Sequence, residues 1–182
     1  SLYSPCFMAI KTIFLDRDGV INKEVNYLHK IEDFKFIEGV FDACLYFQNL
    51  EYKIIIISNQ SGISRGYFNE YEYKNLTKWM LDQFDKRNIS ILDIFYCPHG
   101  SESKCNCRKP KPGMFIDAKT QYDISMRDSW MIGDSETDIQ AANTAGISNT
   151  ILVRSGHSIN ESNSKSKYII DSIKQSREVI KA

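Results

Sequence analysis

Two aspartates, Asp16 and Asp18, stand two residues apart in Phe14-Leu15-Asp16-Arg17-Asp18-Gly19, directly after the apolar run Ile13-Phe14-Leu15. Carboxylates this close disfavour each other's ionisation unless a cation lies between them. Three more polar groups follow apolar runs or a proline-rich loop: Ser58-Asn59-Gln60, Arg108-Lys109 and Gly133-Asp134. Each alone has the composition of a turn. Together they hold the parts of a phosphate site. Asp16, Asp18 and Asp134 offer oxygen ligands to Mg2+, Lys109 a point positive charge, Ser58 a hydroxyl, and the Asn59-Gln60-Ser61-Gly62 turn its backbone N–H groups. An aspartate beside the metal can also act as a nucleophile and form an aspartyl phosphate. A second one can give a proton to the leaving alkoxide and later take one from water.

A second cluster lies between these groups. Cys97, His99, Cys105 and Cys107 are three thiols and an imidazole within eleven residues. With no secretory signal beside it, such a set reads as metal-binding before disulfide, and its ligand types are those of a closed structural Zn2+ site. The loop 97–110 leads straight into Arg108 and Lys109, so zinc there would pin both cations. Cys44 falls in an apolar helical pattern and reads as a buried small hydrophobe.

The elements that must carry these residues alternate. Strands are expected at 11–15, 53–57, 91–96, 129–132, 150–153 and 168–170. Helices are expected at 40–50, from a cap at Asn69 to about 87, and at 113–122, 136–144 and 173–180. The Ser- and Asn-rich stretch 155–167 reads as an exposed loop, and Trp79 and Trp130 as core. Such alternation implies an α/β chain with a parallel sheet covered on both faces. In such sheets ligands bind at the carboxyl ends of the strands, and that rim is where the four polar groups fall.

Composition narrows the partners. Lys+Arg and Asp+Glu are both 23, so bulk charge points to no nucleic acid and no anionic membrane. The longest aliphatic run, Ile54 to Ile57, is far too short for a bilayer span, and no signal peptide is evident. A cytoplasmic monomer acting on a small molecule is the expectation. Residues 1–7, before Met8, read as a leader or cloning remnant, with 8–182 as one domain.

The motifs FLDRDGVIN, ISNQSGISRGYF, YCPHG with CNCRKPKPGM, and MIGDSETDIQAA resemble those of haloacid dehalogenase-superfamily phosphatases, in the histidinol-phosphatase-like branch, over roughly positions 9 to 154. The resemblance implies a Rossmann-like three-layer α/β/α fold with a zinc-binding loop. It implies Asp16 as nucleophile and Asp18 as general acid/base. Mg2+ would be held by Asp16, the Asp18 backbone carbonyl and Asp134, and Ser58 and Lys109 would stabilise the phosphoryl group. Substrate contacts map to Glu24, Val25, Asn26, Tyr27, Asn59, Gln60, Ser61 and Arg108. The implied reaction is hydrolysis of the 7-phosphate of a heptose 1,7-bisphosphate, with histidinol phosphate or another small phosphosugar as the alternative substrate. The pattern has a lysine right after the motif aspartate where this chain has Ser135, a departure that bears on a substrate contact and the preferred anomer. Asp138 is expected to support the metal site from behind. The chain has no room for a large cap domain, so loops 22–36, 61–68 and 97–110 must supply specificity, with Tyr27, His29 and Tyr67 at the entrance.

Overall fold

The computed structural model describes residues 9–182; the leader assigned to residues 1–7, with Cys6, lies outside the described residues. Six strands form one sheet: β1 (Thr12–Leu15), β2 (Lys53–Asn59), β3 (Asp93–Cys97), β4 (Trp130–Gly133), β5 (Asn149–Val153) and β6 (Tyr168–Ile170). Five helices connect or follow them: α1 (Val40–Asn49), α2 (Glu70–Asp85), α3 (Gly113–Tyr122), α4 (Glu136–Thr144) and α5 (Ser176–Val179). All pairings are parallel, in the order β3-β2-β1-β4-β5-β6.

Buried apolar side chains alternate between the two faces. Ile13 and Leu15 of β1, with Ile54 and Ile56 of β2, join the layer containing Phe47, Leu76 and Phe84. Phe14, Ile55 and Ile57 face the other layer, with Phe115, Met131 and Ala141. Strands buried on both faces read as continuous apolar runs, which is why the sequence marks them so clearly. Phe14 meets Phe115 edge-on at 5.1 Å between ring centres. Trp79 and Trp130 are only half-buried and pack at the margin of the first layer.

Helix ends follow local chemistry. Asn69 caps α2: its side chain accepts from the Glu72 N–H at 2.9 Å, and Glu72 reaches back to the Asn69 N–H. Several expected boundaries shift by one or two residues. β2 runs two residues further, through Ser58 and Asn59, because these pair with Tyr96 and Cys97 of β3. β3 correspondingly ends on Cys97. The expected C-terminal helix 173–180 divides into a 3-10 turn at Ile173–Gln175 and the short α5.

The chain order decides where the site can form. From β1 the sheet grows outward through β2 and β3, then the chain returns to place β4 on the other side of β1. Loops leaving β1 and β4 therefore diverge to opposite faces, and a crevice opens between the carboxyl ends of these two strands.

Candidate active site

Asp16 follows β1 and Asp134 follows β4, so the crevice holds both. The Asp16 N–H bonds to the Ile132 carbonyl at 3.1 Å, continuing the ladder to the edge of the crevice. Gly19 turns the loop after β1 with φ of +86°, and a Cβ there would lie 2.3 Å from Asp134 Oδ2. Only glycine allows both the left-handed turn and this approach.

Carboxylate oxygens of Asp16, Asp134 and Asp138 come within 4.8 Å of one another, and all three residues are buried. Asp138, expected behind the metal site, lines the cavity beside the other two and is held by contacts of its own. Its Oδ2 accepts from the N–H groups of Asp134 and Ser135, both at 3.1 Å, which caps α4. Its Oδ1 lies 2.6 Å from Lys109 Nζ. Lys109 also reaches Asp16 at 3.2 Å and the Ile57 carbonyl at 2.8 Å. Burial pushes the Asp16 carboxyl well above its usual range; Asp138 adds to this, Lys109 opposes it, and Asp134 and Asp18 raise it further. Lys109 is held above its ordinary value by Asp138 and Asp16, which together outweigh its burial. A divalent cation among the three carboxylates would remove the penalty on Asp16.

Lys109 is itself fixed from two sides. Asn59 makes a reciprocal pair with its backbone: Asn59 Nδ2 donates to the Lys109 carbonyl at 3.1 Å, and the Lys109 N–H donates to Asn59 Oδ1 at 3.0 Å. The cysteine loop holds the neighbouring residue, since Arg108 Nη1 donates to the His99 carbonyl at 3.1 Å. In that loop Cys97, His99, Cys105 and Cys107 gather their ligand atoms within 4.8 Å. His99 Nδ1 lies 3.5 Å from the Cys97 sulfur and 3.4 Å from that of Cys107, and the Cys97 and Cys105 sulfurs are 3.8 Å apart. A tetrahedral site with metal–sulfur bonds of about 2.3 Å has edges of roughly 3.5–3.8 Å. The Cys97–Cys107 separation of 2.7 Å is tighter and must open to take an ion.

The crevice is a cavity of about 320 Å³. Asp16, Asp18, Lys109, Asp134 and Asp138 line it, along with Glu24, Val25, Asn26 and Tyr27 on one wall and Asn59, Gln60, Ser61 and Arg108 on the other. Every expected substrate position is thus on its surface. Ser58 is not: it is 1% exposed and lies under Gln60, whose Nε2 donates to its Oγ at 2.7 Å. Tyr27, on the cavity wall, stacks on Tyr67 with ring centres 4.1 Å apart, and His29, outside the lining, stacks on the buried Phe68 at 5.4 Å. These contacts join the loops that follow β1 and β2.

Three residues at this site escaped the sequence reading. Arg17 and Asn22 hold the Asp18 carboxylate. His157 belongs to the stretch expected to be an exposed loop. Its backbone N–H and its Nδ1 meet Asp134 Oδ2 at 3.0 and 2.7 Å, and its Nε2 lies 3.9 Å from Glu24. The hydrogen bond to Asp134 holds the imidazole above its ordinary value. Ser155 Oγ donates to the Gly19 carbonyl at 2.7 Å, and a Cβ on Gly156 would lie 2.1 Å from Asp134 Oδ2. The start of this segment is therefore a wall of the site. Only the Gly156 in its serine-rich context hinted at a close approach.

A doubly wound parallel sheet with two acidic loops and a buried lysine at its switch point is the arrangement of a haloacid dehalogenase-type hydrolase. The HAD-hydrolase-like family model matches residues 106–176. A D-glycero-alpha-D-manno-heptose-1,7-bisphosphate 7-phosphatase of Photorhabdus laumondii is 46% identical over 159 residues, covering 84% of this chain and 87% of that protein. A D-glycero-beta-D-manno-heptose-1,7-bisphosphate 7-phosphatase of Vibrio cholerae is 43% identical over 175 residues, covering 92% and 94%. Among solved structures, the D,D-heptose 1,7-bisphosphate phosphatase of B. bronchiseptica, complexed with magnesium and phosphate, superimposes with a TM-score of 0.80 at 29% identity, covering 91% and 94%. The chain belongs to the heptose-1,7-bisphosphate 7-phosphatase family of the haloacid dehalogenase superfamily.

Proposed function

We propose that this chain hydrolyses the 7-phosphate of a D-glycero-D-manno-heptose 1,7-bisphosphate through a phosphorylated Asp16. The observation that carries the reading is the buried meeting of Asp16, Asp134, Asp138 and Lys109 at the floor of a cavity walled by residues 24–27 and 59–61. The donor set fits Mg2+: all oxygen, buried, and with more negative charge than Lys109 offsets. Asp16, Asp134 and the Asp18 backbone carbonyl would hold the ion, which when bound supplies positive charge to the phosphoryl oxygens.

The residues divide the remaining work. Asp16 attacks phosphorus as the bond to the sugar oxygen breaks. Asp18 gives that oxygen a proton, then takes one from the water that cleaves the acyl phosphate. Lys109, the N–H groups of the turn after β2, and Ser58 stabilise the phosphoryl oxygens. Glu24, Val25, Asn26, Tyr27, Asn59, Gln60, Ser61 and Arg108 contact the rest of the substrate. We assign Zn2+ to Cys97, His99, Cys105 and Cys107 in a structural role, because the loop it would fix holds Arg108 and Lys109. A cytoplasmic setting is part of this reading, since a thiol-rich metal site without a secretory signal belongs to a reducing compartment. No helix among the described residues is long and apolar enough to cross a membrane. One sheet organises the described chain, which supports reading 8–182 as one domain; we take it to act as a monomer on a small phosphosugar.

Steady-state phosphate release with Mg2+ tests the substrate. The panel is both anomers of the heptose bisphosphate, histidinol phosphate and fructose 1,6-bisphosphate. One heptose anomer is expected to exceed the other two compounds in kcat/KM by at least about 100-fold. Equal or faster turnover of histidinol phosphate would overturn the substrate assignment and leave the phosphatase chemistry standing.

A further inference from the structure

Arg17 separates the two aspartates and is only 2% exposed. Its Nε lies 3.3 Å from Asp18 Oδ1, and its Nη2 lies 3.0 and 3.2 Å from the two Asp18 carboxylate oxygens. The same Nη2 donates to the Leu28 carbonyl at 3.3 Å. Its Nη1 is buried without a partner. A guanidinium stays charged at every accessible pH, and burying it with an unfilled donor disfavours folding. Asn22 Nδ2 and Gln60 Nε2 already hold the Asp18 carboxylate at 2.9 and 3.1 Å. Arg17 is therefore poorly explained as a stability device. What it adds is charge. Lys109 forms its ion pairs with Asp16 and Asp138, and among the described residues Arg17 alone forms an ion pair with Asp18.

We propose that Arg17 is a positioning residue for proton transfer: it aims the Asp18 carboxyl group at the leaving oxygen and neutralises the carboxylate that remains once the proton has gone. This rests on the reading of Asp18 as the acid. In the step concerned, an Asp16 oxygen bonds to phosphorus, the bond from phosphorus to the sugar oxygen breaks, and the Asp18 proton goes to that oxygen. The products are an alcohol, the acyl phosphate and ionised Asp18, so charge and protons balance. The bond from Arg17 to Leu28 ties this grip on Asp18 to the loop that forms the substrate wall.

Protonation matters for an alkoxide and hardly at all for a nitrophenolate, which leaves as a stable anion. The test is therefore leaving-group dependence in Arg17→Gln, with Asp18→Asn beside it, on a phosphosugar and on p-nitrophenyl phosphate. Single-turnover release of the alcohol or phenol, with enzyme and Mg2+ in excess, reads the first step alone. Arg17→Gln is expected to lose about 100-fold on the phosphosugar and less than about 5-fold on the aryl ester, where no proton is needed. Asp18→Asn should show the same contrast. Parallel losses in Arg17→Gln, with the contrast kept in Asp18→Asn, would overturn the inference alone. Parallel losses in Asp18→Asn would overturn the acid–base reading and this inference with it. If circular dichroism shows Arg17→Gln unfolded, Arg17→Lys replaces it: charge without the two-point grip should give the same contrast at smaller size, and parallel losses would again overturn the inference. Any phosphosugar that the wild type turns over serves as the alkyl ester, so the substrate assignment and this inference fail separately.

Discussion

At the scale of single residues the site is an exercise in charge placement. Lys109 contacts Asp16, Asp138 and a backbone carbonyl at once, and Arg17 takes Asp18. Removing the Asp16 charge should leave the packing intact while removing the nucleophile. Asp16→Asn is expected to lower kcat by on the order of 10⁴-fold or more, with the melting temperature unchanged or raised, because a buried charge has gone. Substantial turnover in this variant would exclude Asp16 as the nucleophile. Cys44 offers a test of the core. Burial pushes its thiol up to about 12, above the roughly 8.5 of an exposed cysteine. The favoured folded form is the neutral thiol. Its contribution to stability is fully present below about 8.5 and is lost as pH rises toward 12. Iodoacetamide at pH 8 should leave Cys44 unmodified in the native protein and label it after denaturation; equal labelling by mass spectrometry in both states would contradict the burial. Asp16, Asp18, Lys109 and Asp134 were legible in the sequence because each follows a recognisable apolar run or sits in a tight motif. Arg17, Asn22 and His157 were not, because their roles depend on partners that only the fold supplies.

At the scale of elements, two loops and one helix end set the geometry. The N-terminus of α4 is built from Ser135 and Asp138. Ser135 Oγ accepts from the Thr137 N–H at 3.4 Å, so the residue standing where the family pattern has a lysine serves as a cap. The segment after β5 braces Asp134 through His157. His157→Ala removes one bond to a carboxylate that would hold metal, so the dissociation constant for Mg2+ should rise about 10-fold. Calorimetric titration of Mg2+ into the protein reads this without turnover, and an unchanged constant would assign the contact no role in holding the ion. The cysteine loop makes a separate prediction. Cys107→Ser, or dialysis against a strong chelator, should remove one equivalent of zinc and lower the melting temperature by a few degrees, about 2–4 °C for each 1 kcal/mol lost. It should also lower kcat, because Arg108 and Lys109 lose their support. Full activity with zinc still bound in Cys107→Ser, by metal analysis, would remove that loop from the account.

At the scale of the whole molecule, the order of the strands creates the site. β1 lies between β2 and β4 and is buried on both faces. Phe14 at its centre fills the layer against Phe115. Phe14→Ala should cost about 3–5 kcal/mol of stability, read by denaturant unfolding. A loss below about 1 kcal/mol would mean that the layer repacks around the gap. Activity in the folded fraction should fall as well, since Asp16 is two residues further along, directly after this strand.

The sequence by itself determined the element types, because strands buried on both faces need unbroken apolar runs and helix starts need caps such as Asn69. It also determined the chemical inventory: carboxylates, a lysine, a hydroxyl and a thiol cluster, in motifs whose spacing is specific. Tertiary structure decided which of these meet. Asp16 and Asp134 are 118 positions apart in the chain and become neighbours only because β4 returns beside β1. Ser58 ends beneath Gln60, Asn59 turns to hold Lys109, and a serine-rich stretch delivers His157 to Asp134. Such contacts follow from the path of the backbone through space, and a one-dimensional pattern carries no record of that path beyond its local periodicity.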